Sequence, residues 1–524
     1  MITEDQTAVV AFLGSSSTHG GAAVDRVETH SAIVFLAGAR AYKLKRAVLF
    51  DYLDFSTAER RRASCEAEVR LNRRTAPDLY RGVVAVTREG DGSLALGGAG
   101  TAVDWLVEMN RFEQDAVFDR LAATGRLDLE LMPPLATAIA DFHTAAERRP
   151  DHGGGAGMAW VIDGNAAGFA EYGECLDREA SLRLTVAARA ELERRRALLD
   201  ARRDAGFVRQ CHGDLHLRNI VLLDGRPTLF DGVEFNDEIS CTDVLYDLAF
   251  LLMDLWRRRL PRHANALFNR YLSDTGDLEG LSLLPLFLSC RAAVRAKTSA
   301  TAAQLQDGAR RRGELQALAQ EYLAMAERLL HPPPHGLTAI GGPSGSGKST
   351  LALGLAPSVG AVPGAVVVRS DEIRKRLCGV PPLEPLGPDG YTPEVSERVY
   401  ATLAERARVT VLAGHSAIVD AVYGRPADRQ AIERVAADTS VPFDGLWLDA
   451  PESTLIARAE RRRNDPSDAD AAVIRRQRDE LSEPAGWKRL DASMGPQMVV
   501  ESAVSGMREQ VHDPARRDTV SRSR

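Results

Sequence analysis

A glycine-rich segment between two apolar runs constrains the fold of this chain more than any other feature. The segment GGPSGSGKST, Gly341–Thr350, follows the strand-like run LTAIG and precedes the helix-like run STLALGLA. Its spacing is that of a phosphate loop, in which glycines let backbone N–H groups wrap phosphates at a helix N-terminus. The surrounding region is therefore predicted to be an α/β domain with a parallel sheet.

The side chains of this loop have expected roles. Lys348 should reach the β- and γ-phosphates of a nucleoside triphosphate, and the Ser349 hydroxyl should hold magnesium. The residues predicted to contact the nucleotide are Gly342, Pro343, Ser344, Gly345, Ser346, Gly347, Lys348, Ser349 and Thr350.

A second segment, HGDLHLRN at His212–Asn219, predicts a different phosphate-handling site. A histidine, an aspartate two residues on and an asparagine five beyond that have the spacing of a kinase catalytic loop, and Asp231 follows in LFDGVEFND. Phosphoryl transfer needs a group that orients the acceptor hydroxyl, and oxygen ligands for magnesium. Asp214, Asn219 and Asp231 can supply these groups. One chain is thus predicted to hold two unrelated devices for binding a nucleoside triphosphate.

The length of the chain predicts more than one domain. A chain of 524 residues is too long for one compact core, and two or three domains are expected. Three prolines in HPPPHG, residues 331–336, end a helical pattern and precede the strand of the phosphate loop. We place a linker there, between a first domain at 1–330 and a second at 337–506. Residues 507–524 are polar without apolar periodicity and are predicted to be a flexible tail.

The first domain is predicted to have two lobes. Residues up to about 109 contain the strand-like runs SAIVFLAG, AYKLKRA, GVVAVTRE and TAVDWLVEM, with one helix-like run, STAERRRASCEAEVRLNRR, between them. Residues from about 110 to 330 are mainly helix-like and carry the segment HGDLHLRN. A small sheet-rich lobe followed by a large helical lobe with the catalytic loop is the layout of an α+β, bilobal, kinase-like fold.

On these motifs, residues from about 20 to 330 resemble the aminoglycoside phosphotransferase family, small-molecule kinases with a protein-kinase-like fold. The resemblance implies that Asp214 is the catalytic base and that Asn219 and Asp231 bind Mg²⁺. It also implies that His212 braces the loop. His216 is expected to pack or to form hydrogen bonds rather than to take part in catalysis.

The same resemblance assigns ATP contacts in the small lobe. Lys43, in AYKLK, matches the lysine that pairs with nucleotide phosphates, and Glu68 in the following helix is its expected partner. The hinge that meets the adenine through backbone groups is expected at VEM, Val107–Met109, with Glu108 and Met109 as contact residues.

The residues leave some assignments open. Lys45 lies on the same strand face as Lys43 and could take its role, and Glu66 competes with Glu68 in the same way. The metal segment reads DGVE, whereas an aspartate followed by an aromatic residue is more common in the family. Three basic residues could face an acidic substrate or form a solvated helix face: Arg291, Arg295 and Lys297.

The order of elements after the phosphate loop resembles P-loop small-molecule kinases such as gluconate kinase, chloramphenicol phosphotransferase and zeta-toxin relatives, within the wider class of AAA-type ATPases. The strand AVVVRSD should end in Asp371, and the strand SAIVDA carries Asp420. The resemblance implies that Asp371 binds or activates the acceptor with help from Arg374, and that Asp420 supports Mg²⁺. Lid arginines are expected at Arg458 and Arg462, in an arginine-rich run interrupted by a flexible DPSD. A helix N-cap is the alternative for Asp371, and an exposed helix is the alternative for the arginines.

These patterns predict an ATP- and Mg²⁺-dependent phosphotransferase with one or two active modules. Its acceptors would be small hydroxylated or aminated metabolites. One alternative is that one module is an ATP-binding sensor that regulates the other. A polynucleotide-end kinase is a further alternative, which the net charge of −7 and the lack of a basic, aromatic-interleaved stripe argue against.

The remaining sequence features indicate a cytoplasmic protein. The N-terminal MITEDQTAVVAFL is acidic before its short apolar run and does not resemble a signal peptide. No apolar stretch is long enough to cross a membrane. The six cysteines form no close pair, so neither a zinc site nor a disulfide framework is expected. The patterns leave open the identity of either acceptor and the oligomeric state.

Overall fold

The computed structural model describes residues 3–512, apart from 30, 51, 382, 462–464 and 482–483, and it describes no side chain at 480 or 506–512. The chain forms two compact units, Met1–Arg258 with Leu286–Glu327 and Arg259–Pro285 with Arg328–Arg524. The segment Arg259–Pro285, which the sequence placed in the first domain, thus groups with the second unit. The boundary at 331–336 stays a prediction.

The first unit begins with a sheet-rich region. Its strands are β1 Val24–Glu28, β2 Ala32–Ala37, β3 Arg40–Lys45, β4 Leu49–Phe50, β5 Leu53–Asp54, β6 Tyr80–Arg88, β7 Leu94–Leu96 and β8 Thr101–Asn110. An antiparallel sheet has the order β1-β2-β3-β8-β6-β7, and β4 pairs with β5 as a separate hairpin. The strand-like runs of the sequence are thereby confirmed.

Two helices, α1 Thr7–Gly14 and α2 Ala58–Asn72, supply apolar residues to the two faces of this sheet. Thr57 caps α2 by accepting a hydrogen bond from the Arg60 backbone N–H. On one face Val69 of α2 packs in a core with Val107, and on the other Leu13 of α1 packs with Leu106. Because α2 carries Glu68 and β3 carries Lys43, this packing sets the distance between the two side chains.

The rest of the first part of the chain is mainly helical, as expected. The helices are α3 Phe118–Ala123, α4 Met132–Ala145, α5 Gly154–Glu171, α6 Arg178–Asp204, α7 Asp237–Ser240, α8 Val244–Arg257, α9 Pro261–Thr275, α10 Leu284–Gln304 and α11 Ala309–Leu330. Short strands lie among them: β9 Val208–Gln210, β10 Ile220–Leu223, β11 Arg226–Leu229 and β12 Cys241–Asp243. The segment HGDLHLRN lies between β9 and β10, and Asp231 follows β11, so two short antiparallel pairs, β9 with β12 and β10 with β11, position the site.

The second unit is an α/β fold. Its strands are β13 Leu337–Gly341, β14 Val366–Arg369, β15 Ala417–Asp420, β16 Phe443–Asp449 and β17 Lys488–Asp491. Its further helices are α12 Lys348–Leu355, α13 Ser370–Leu377, α14 Pro393–Leu412, α15 Pro426–Asp438, α16 Glu452–Arg461, α17 Ala471–Glu480 and α18 Pro496–His512. The helix α18 continues into the stretch 507–524 that the sequence analysis predicted to be a flexible tail.

The sheet of the second unit is parallel, as predicted, with the order β14-β15-β13-β16-β17. The chain leaves β13 toward one side of the sheet and later crosses to the other, so the carboxyl end of β13 is a topological switch point, where α/β sheets bind ligands. The phosphate loop follows β13 at that point. Apolar side chains of β13, β15 and β16 pack with α12 and α18 in the core beneath it.

Helix α9 covers the edge strand β14 of this sheet. The buried Asn265 donates hydrogen bonds to Pro363 O at 3.2 Å and to Ala365 O at 3.1 Å. Asn269 donates to Ala365 O at 3.1 Å, and its Oδ1 accepts from Val367 N at 2.6 Å. The asparagine side chains thus pair with backbone groups that an edge strand would otherwise present to solvent or to another chain.

We expect the double substitution Asn265→Ala with Asn269→Ala to destabilise the second unit by about 2–4 kcal/mol, because buried backbone groups would lose their partners. The measurement is hydrogen–deuterium exchange of the full chain, in which peptides that contain β14 should exchange faster. Arg262→Ala, at an exposed position of the same helix, is the matched control. Unchanged exchange in β14 would show that α9 does not stabilise the edge.

Candidate active sites

Asp214 lies at the centre of the first site, held by two side chains of its own loop. Asn219 Nδ2 donates to Asp214 Oδ2 at 3.1 Å and to Asp214 O at 2.9 Å. His216 Nε2 lies 3.3 Å from the same Oδ2, and the His216 ring packs edge-on against Phe250. Burial raises the pKa of Asp214, but the nearby His216 and Arg295 outweigh it and hold that pKa well below its ordinary value. Asp214 is therefore a carboxylate at neutral pH, and His216 has the packing role expected of it.

Helix α8 anchors the loop through two buried aspartates. Asp247 accepts the backbone N–H groups of His212 at 3.1 Å and Gly213 at 2.9 Å, and His143 lies 3.2 Å away. Asp254 accepts from Leu217 N at 3.2 Å. Burial raises the pKa of Asp247, and the bond to His143 with the nearby positive charges lowers it to about 2. The loop backbone is therefore fixed to ionised side chains of a helix on the same unit.

The metal segment is adjacent to this loop and is braced in the same way. His212 Nε2 donates to Phe230 O at 2.9 Å, so His212 braces the loop as predicted. Asp231 has φ 60°, in the left-handed region, and its N–H donates to Tyr80 Oη at 3.0 Å. Gly232 N donates to Asn72 Oδ1 at 2.7 Å. These bonds keep the Asp231 backbone in a conformation that few residues with a side chain adopt.

A buried cluster of lysines and carboxylates surrounds the expected phosphate lysine. Lys43 Nζ lies 2.8 Å from Glu68 Oε1 and 2.5 Å from Asp231 Oδ1. Lys45 Nζ lies 2.6 Å from Glu68 Oε2 and 2.5 Å from Glu234 Oε1. Glu68 thus bridges both lysines of β3, and Lys43 is the one that meets Asp231.

Neighbouring charges stabilise the ionised forms of Lys43, Lys45 and Glu68. Burial lowers the pKa of Lys43, but Asp231 and Glu68 outweigh it and raise that pKa well above its ordinary value. Glu234 and Glu68 likewise outweigh burial and raise the pKa of Lys45. Burial raises the pKa of Glu68, whereas the two lysines bring it below its ordinary value. The lysines and Glu68 are therefore charged at neutral pH.

The structure distinguishes between the alternatives left by the sequence. Glu66 lies on the exposed face of α2 and pairs with Arg62 in the same helix, so it does not meet Lys43. Arg291 is buried and donates to Gly213 O at 3.1 Å, so the interpretation as a solvated helix face is wrong for this residue. It binds the catalytic loop instead.

The residues expected at the hinge lie inside β8. Glu108 and Met109 both stand opposite residues of β3 and β6, and the strand continues to Asn110. The Glu108 carboxylate lies 3.4 Å from Arg40 Nε and 3.4 Å from Arg81 Nε. Contact of these residues with an adenine base stays a prediction.

In the second unit, the phosphate loop has a conformation that requires its glycines. Gly342 and Gly345 have φ 135° and 80°. A Cβ atom would lie 2.3 Å from Leu448 O at Gly342 and 2.5 Å from Leu455 O at Gly345. No larger residue fits there without displacement of the neighbouring backbone, so the sequence requirement for glycine has a steric cause.

The expected metal ligands of the second unit lie together at the carboxyl ends of the strands. Ser349 Oγ donates to Asp420 Oδ2 at 2.5 Å, and Lys348 Nζ donates to Pro343 O at 3.0 Å. Burial raises the pKa of Asp420 above its ordinary value, although Lys348 and Arg369 act in the opposite direction. A cation beside Asp420 would favour the carboxylate, because it adds positive charge to a buried acid.

A glutamine that sequence reasoning missed contacts the phosphate loop. Ser344 N donates to Gln477 Oε1 at 2.8 Å, and Gln477 belongs to α17. Of the two arginines predicted as lid residues, Arg458 is half-buried on α16, and Arg462 lies outside the described residues. The contact between α17 and the loop has no local signal in the sequence, because the two are 133 residues apart.

Strand β14, which precedes Asp371, is shorter than predicted. Strand β14 ends at Arg369, and Asp371 is the second residue of α13 rather than the last residue of the strand. The N-cap position belongs to Arg369, so Asp371 is not the cap. Acidic groups are favourable in the first helical turn because of the helix dipole, so Asp371 and Glu372 suit their positions in α13. Arg374 is buried and donates to Gly390 O at 2.8 Å.

The two aspartates of the segment DPSD pair with charged or polar side chains of other segments. The flexibility expected of this segment stays a prediction. Asp465 Oδ2 lies 3.1 Å from Arg369 Nη2. Asp468 Oδ1 lies 3.0 Å from Lys375 Nζ, and its Oδ2 accepts from Tyr391 Oη at 2.9 Å. Both aspartates thereby join this segment to residues on or next to α13.

The residues that sequence reasoning missed differ in how they could have been found. Asp247 and Asp254 lie seven residues apart in the apolar run VLYDLAFLLMDLW, which puts both on one helix face. Buried acids need partners, so this spacing was a usable signal. Glu234 and Tyr80 carry no comparable signal, because their partners are distant in sequence.

Both sites fit magnesium by their donor atoms. In the first unit Asp231 offers a carboxylate, and Asn219 donates through Nδ2, which leaves its oxygen as the ligand atom. In the second unit Ser349 and Asp420 offer a hydroxyl and a carboxylate within hydrogen-bond distance of each other. Oxygen ligands of this kind suit Mg²⁺.

All six cysteines are free thiols. The ligand atoms of His143, Cys211 and Asp247 lie within 4.8 Å of one another, but Asp247 uses its oxygens to bind the catalytic loop. Within the described part of the chain, no helix is both long enough and apolar enough to pass through a membrane.

Comparisons with known proteins identify both regions. A model of the phosphotransferase enzyme family matches residues 43–284, and a model of an AAA domain family matches residues 337–484. Among solved structures, a choline/ethanolamine kinase family protein from Mesorhizobium loti is 14% identical, with 62% of this chain and 94% of that chain covered and a TM-score of 0.38. A sugar kinase from Janibacter sp. HTCC2649 is 23% identical, with 33% and 95% covered and a TM-score of 0.26.

A curated relative matches nearly the whole chain. The uncharacterized protein Rv2004c of Mycobacterium tuberculosis (strain ATCC 25618 / H37Rv) is 31% identical over 468 residues, which cover 87% of this chain and 90% of that protein. The matched length includes both kinase-type regions. The chain therefore belongs to the same family as this mycobacterial protein, and it joins an aminoglycoside phosphotransferase-like domain of kinase-like fold to a P-loop kinase/ATPase domain.

Proposed function

We propose that the first unit transfers the γ-phosphate of ATP to a small hydroxylated or aminated molecule, and that the second unit is a second ATP-dependent kinase module. The observation that carries the proposal is the arrangement of Asp214, Asn219, Asp231 and Lys43 in one site. Phe230 N donates to Asn219 O at 3.0 Å, which places the catalytic loop directly beside the metal segment. Lys43, on strand β3 of the sheet, contacts the metal segment through its ion pair with Asp231.

Each side chain has a defined task in the proposed reaction. Asp214 Oδ2 is engaged by Asn219 and His216, so Oδ1 is the oxygen that would accept a hydrogen bond from the acceptor hydroxyl or amine. As the acceptor atom bonds to the γ-phosphorus, the bond to the β–γ bridging oxygen breaks, ADP leaves, and the acceptor proton passes to Asp214. Lys43 would neutralise phosphate charge. Magnesium, held by Asn219 and Asp231, would offset the remaining charge of the phosphates.

The lowered pKa of Asp214 fits a positioning role better than that of a strong base. A carboxylate of low pKa removes a proton weakly from a free hydroxyl. In a loose transition state the acceptor loses its proton late, when its oxygen has become acidic, so a well-placed weak base suffices. Orientation of the acceptor is then the main contribution of Asp214.

Small acceptors are favoured by the short connection after the metal segment. Only the one-turn helix α7 and the strand β12, paired with β9, lie between Asp231 and the start of α8 at Val244. A protein kinase needs a longer segment there to dock a peptide. We therefore expect metabolites rather than proteins as acceptors.

In the second unit, nucleotide binding requires an exchange of partners. The Ser344 N–H that would bind phosphate donates to Gln477, and Lys348 donates to Pro343 O. ATP would replace both partners, which would release Gln477 of α17 from the phosphate loop. Asp371, at the start of α13, would bind the acceptor opposite the phosphate loop.

A metabolite-pool screen with labelled ATP tests the proposal. The wild-type chain should phosphorylate one or more small molecules, and separate products should disappear in Asp214→Ala and in Lys348→Ala. Glu179→Gln, at a side chain that is 91% exposed, is the control and should keep every product. Loss of all products in only one variant would favour a nucleotide-sensing role for the other unit. Faster labelling of generic proteins than of any metabolite would contradict the proposal.

A further inference from the structure

The charge balance of the cluster around Glu68 suggests a role for two residues to which the proposed reaction gives none. Lys45, Glu68 and Glu234 form its inner part, with side chains only 2%, 0% and 5% exposed. Lys43 and Asp231 form its outer part, where Asp231 is 42% exposed. The four residues other than Asp231 carry equal numbers of positive and negative charges.

This balance determines what Lys43 is able to do. If Lys45 were absent, Lys43 would be the remaining lysine beside two buried carboxylates, Glu68 and Glu234. Uncompensated buried charge is costly, so Lys43 would be held inward, away from a nucleotide. With Lys45 present, Glu68 and Glu234 keep a partner when Lys43 turns toward phosphate. Once Lys43 turns toward phosphate, the negative charge of Asp231 is likewise available to bind a cation.

Glu234 also connects three elements mechanically. Its Oε1 accepts hydrogen bonds from Lys45 of β3 at 2.5 Å and from Ser64 of α2 at 2.8 Å. Glu234 lies three residues after Asp231, so these bonds tie the metal segment to both the strand and the helix that hold Lys43 and Glu68. The acid that makes the connection is the last residue of the metal segment DGVE.

We propose that Lys45 and Glu234 are positioning residues of the first site: they form a buried ion pair that keeps Lys43 available for phosphate and holds Asp231 in place for magnesium. The inference rests on the proposed function of the first unit. Neither residue needs to touch ATP, because Lys45 and Glu234 act through Glu68 and through the chain segment that carries Asp231.

The pair makes a prediction that a packing role does not. In Lys45→Met, the two negative charges of Glu68 and Glu234 face the single positive charge of Lys43. In the double variant Lys45→Met with Glu234→Gln, one positive charge, Lys43, again faces one negative charge, Glu68. The double variant should therefore resemble the wild type more closely than Lys45→Met does, so the second substitution repairs the first. If the two residues mattered only for packing, the losses of binding free energy from the two single substitutions would add in the double variant.

The test is calorimetry on the full chain with a non-hydrolysable ATP analogue and Mg²⁺, in a Lys348→Ala background so that only the first site is read. Lys45→Met should weaken nucleotide binding by about tenfold or more, since it unbalances a buried charge pair. At saturating Mg²⁺, where the weaker hold on Asp231 no longer limits binding, the double variant should recover to within roughly threefold of the background. Glu234→Gln alone should raise the Mg²⁺ concentration for half-maximal binding several-fold. Glu66→Gln, on the exposed face of α2, should change neither the affinity for the nucleotide nor its Mg²⁺ dependence.

Two further readouts keep the inference falsifiable. If Lys45→Met fails to fold and the double variant folds, that rescue supports the ion pair. In Glu234→Gln, faster hydrogen exchange of the peptide around Asp231 also supports it. Additive losses, or an unchanged Mg²⁺ dependence in Glu234→Gln, would overturn this inference alone. Absence of nucleotide binding in the Lys348→Ala background would overturn the proposed function, and this inference with it.

Discussion

Asp214→Ala is expected to lower acceptor-dependent phosphoryl transfer by the first unit on the order of a hundredfold or more, while ATP binding stays nearly unchanged. The reason is the division of tasks within the site. In the proposed site Asp214 would face the acceptor, Asn219 and Asp231 would offer oxygen ligands to magnesium, and Lys43 would offer its charge to the phosphates. Loss of Asp214 removes orientation and the proton acceptor, and it leaves the nucleotide contacts in place.

Single-turnover kinetics on an identified acceptor measure this effect separately from binding. Asp214→Asn is the matched variant, because an amide oxygen can still accept from Asn219 and keep the loop in shape. It should lose transfer to a similar degree, which would separate chemistry from folding. Transfer at the wild-type rate in either variant would remove Asp214 from the mechanism.

The pH dependence of this reaction follows from the same environment. The folded-state pKa of Asp214 is lowered, so the carboxylate stays ionised as pH falls from 8 to 5. A decline of the transfer rate within that range should therefore come from another group. A decline that vanishes in Asp214→Asn would contradict this assignment.

Lys348→Ala is expected to leave one nucleotide site per chain where the wild type has two. Lys348 carries the positive charge of the phosphate loop, and a hydrogen bond to a charged group contributes about 1.5–3 kcal/mol, which is roughly one to two orders of magnitude in affinity. Asp231→Ala should remove the Mg²⁺-dependent site of the first unit and leave the phosphate loop able to bind. Each proposed site has its own lysine and its own expected oxygen ligands, so neither site would need residues of the other.

Calorimetry with a non-hydrolysable ATP analogue and Mg²⁺ counts the sites directly. The expected stoichiometry is two in the wild type and one in each variant. Arg262→Ala, at an exposed position, should keep both. A stoichiometry of one in the wild type that either substitution abolishes would mean that the two kinase-type regions form a single nucleotide site, and the proposal of two kinase modules would have to be abandoned.

The alternatives within the small lobe show where prediction from sequence reached its limit. Lys43 and Lys45 were correctly placed on one strand face, since side chains alternate along a strand. Sequence alone could not show that both contact Glu68, or that Glu66 faces solvent, because α2 has a weak apolar pattern and its rotation is set by packing against the sheet. The pairing of Lys45 with Glu234 joins residues 189 apart.

The sequence by itself determined the two phosphate-handling devices and the fold around each. A phosphate loop and a catalytic loop are local: their glycines, lysine, acids and amide must stand at fixed spacings, so a short segment carries the whole signal. Only the tertiary structure decided which distant groups complete them. Asp247 fixes the catalytic loop, Gln477 meets the phosphate loop, and α9 covers β14 through Asn265 and Asn269. These contacts depend on how elements pack, and packing is set by apolar burial summed over many residues rather than by spacing along the chain.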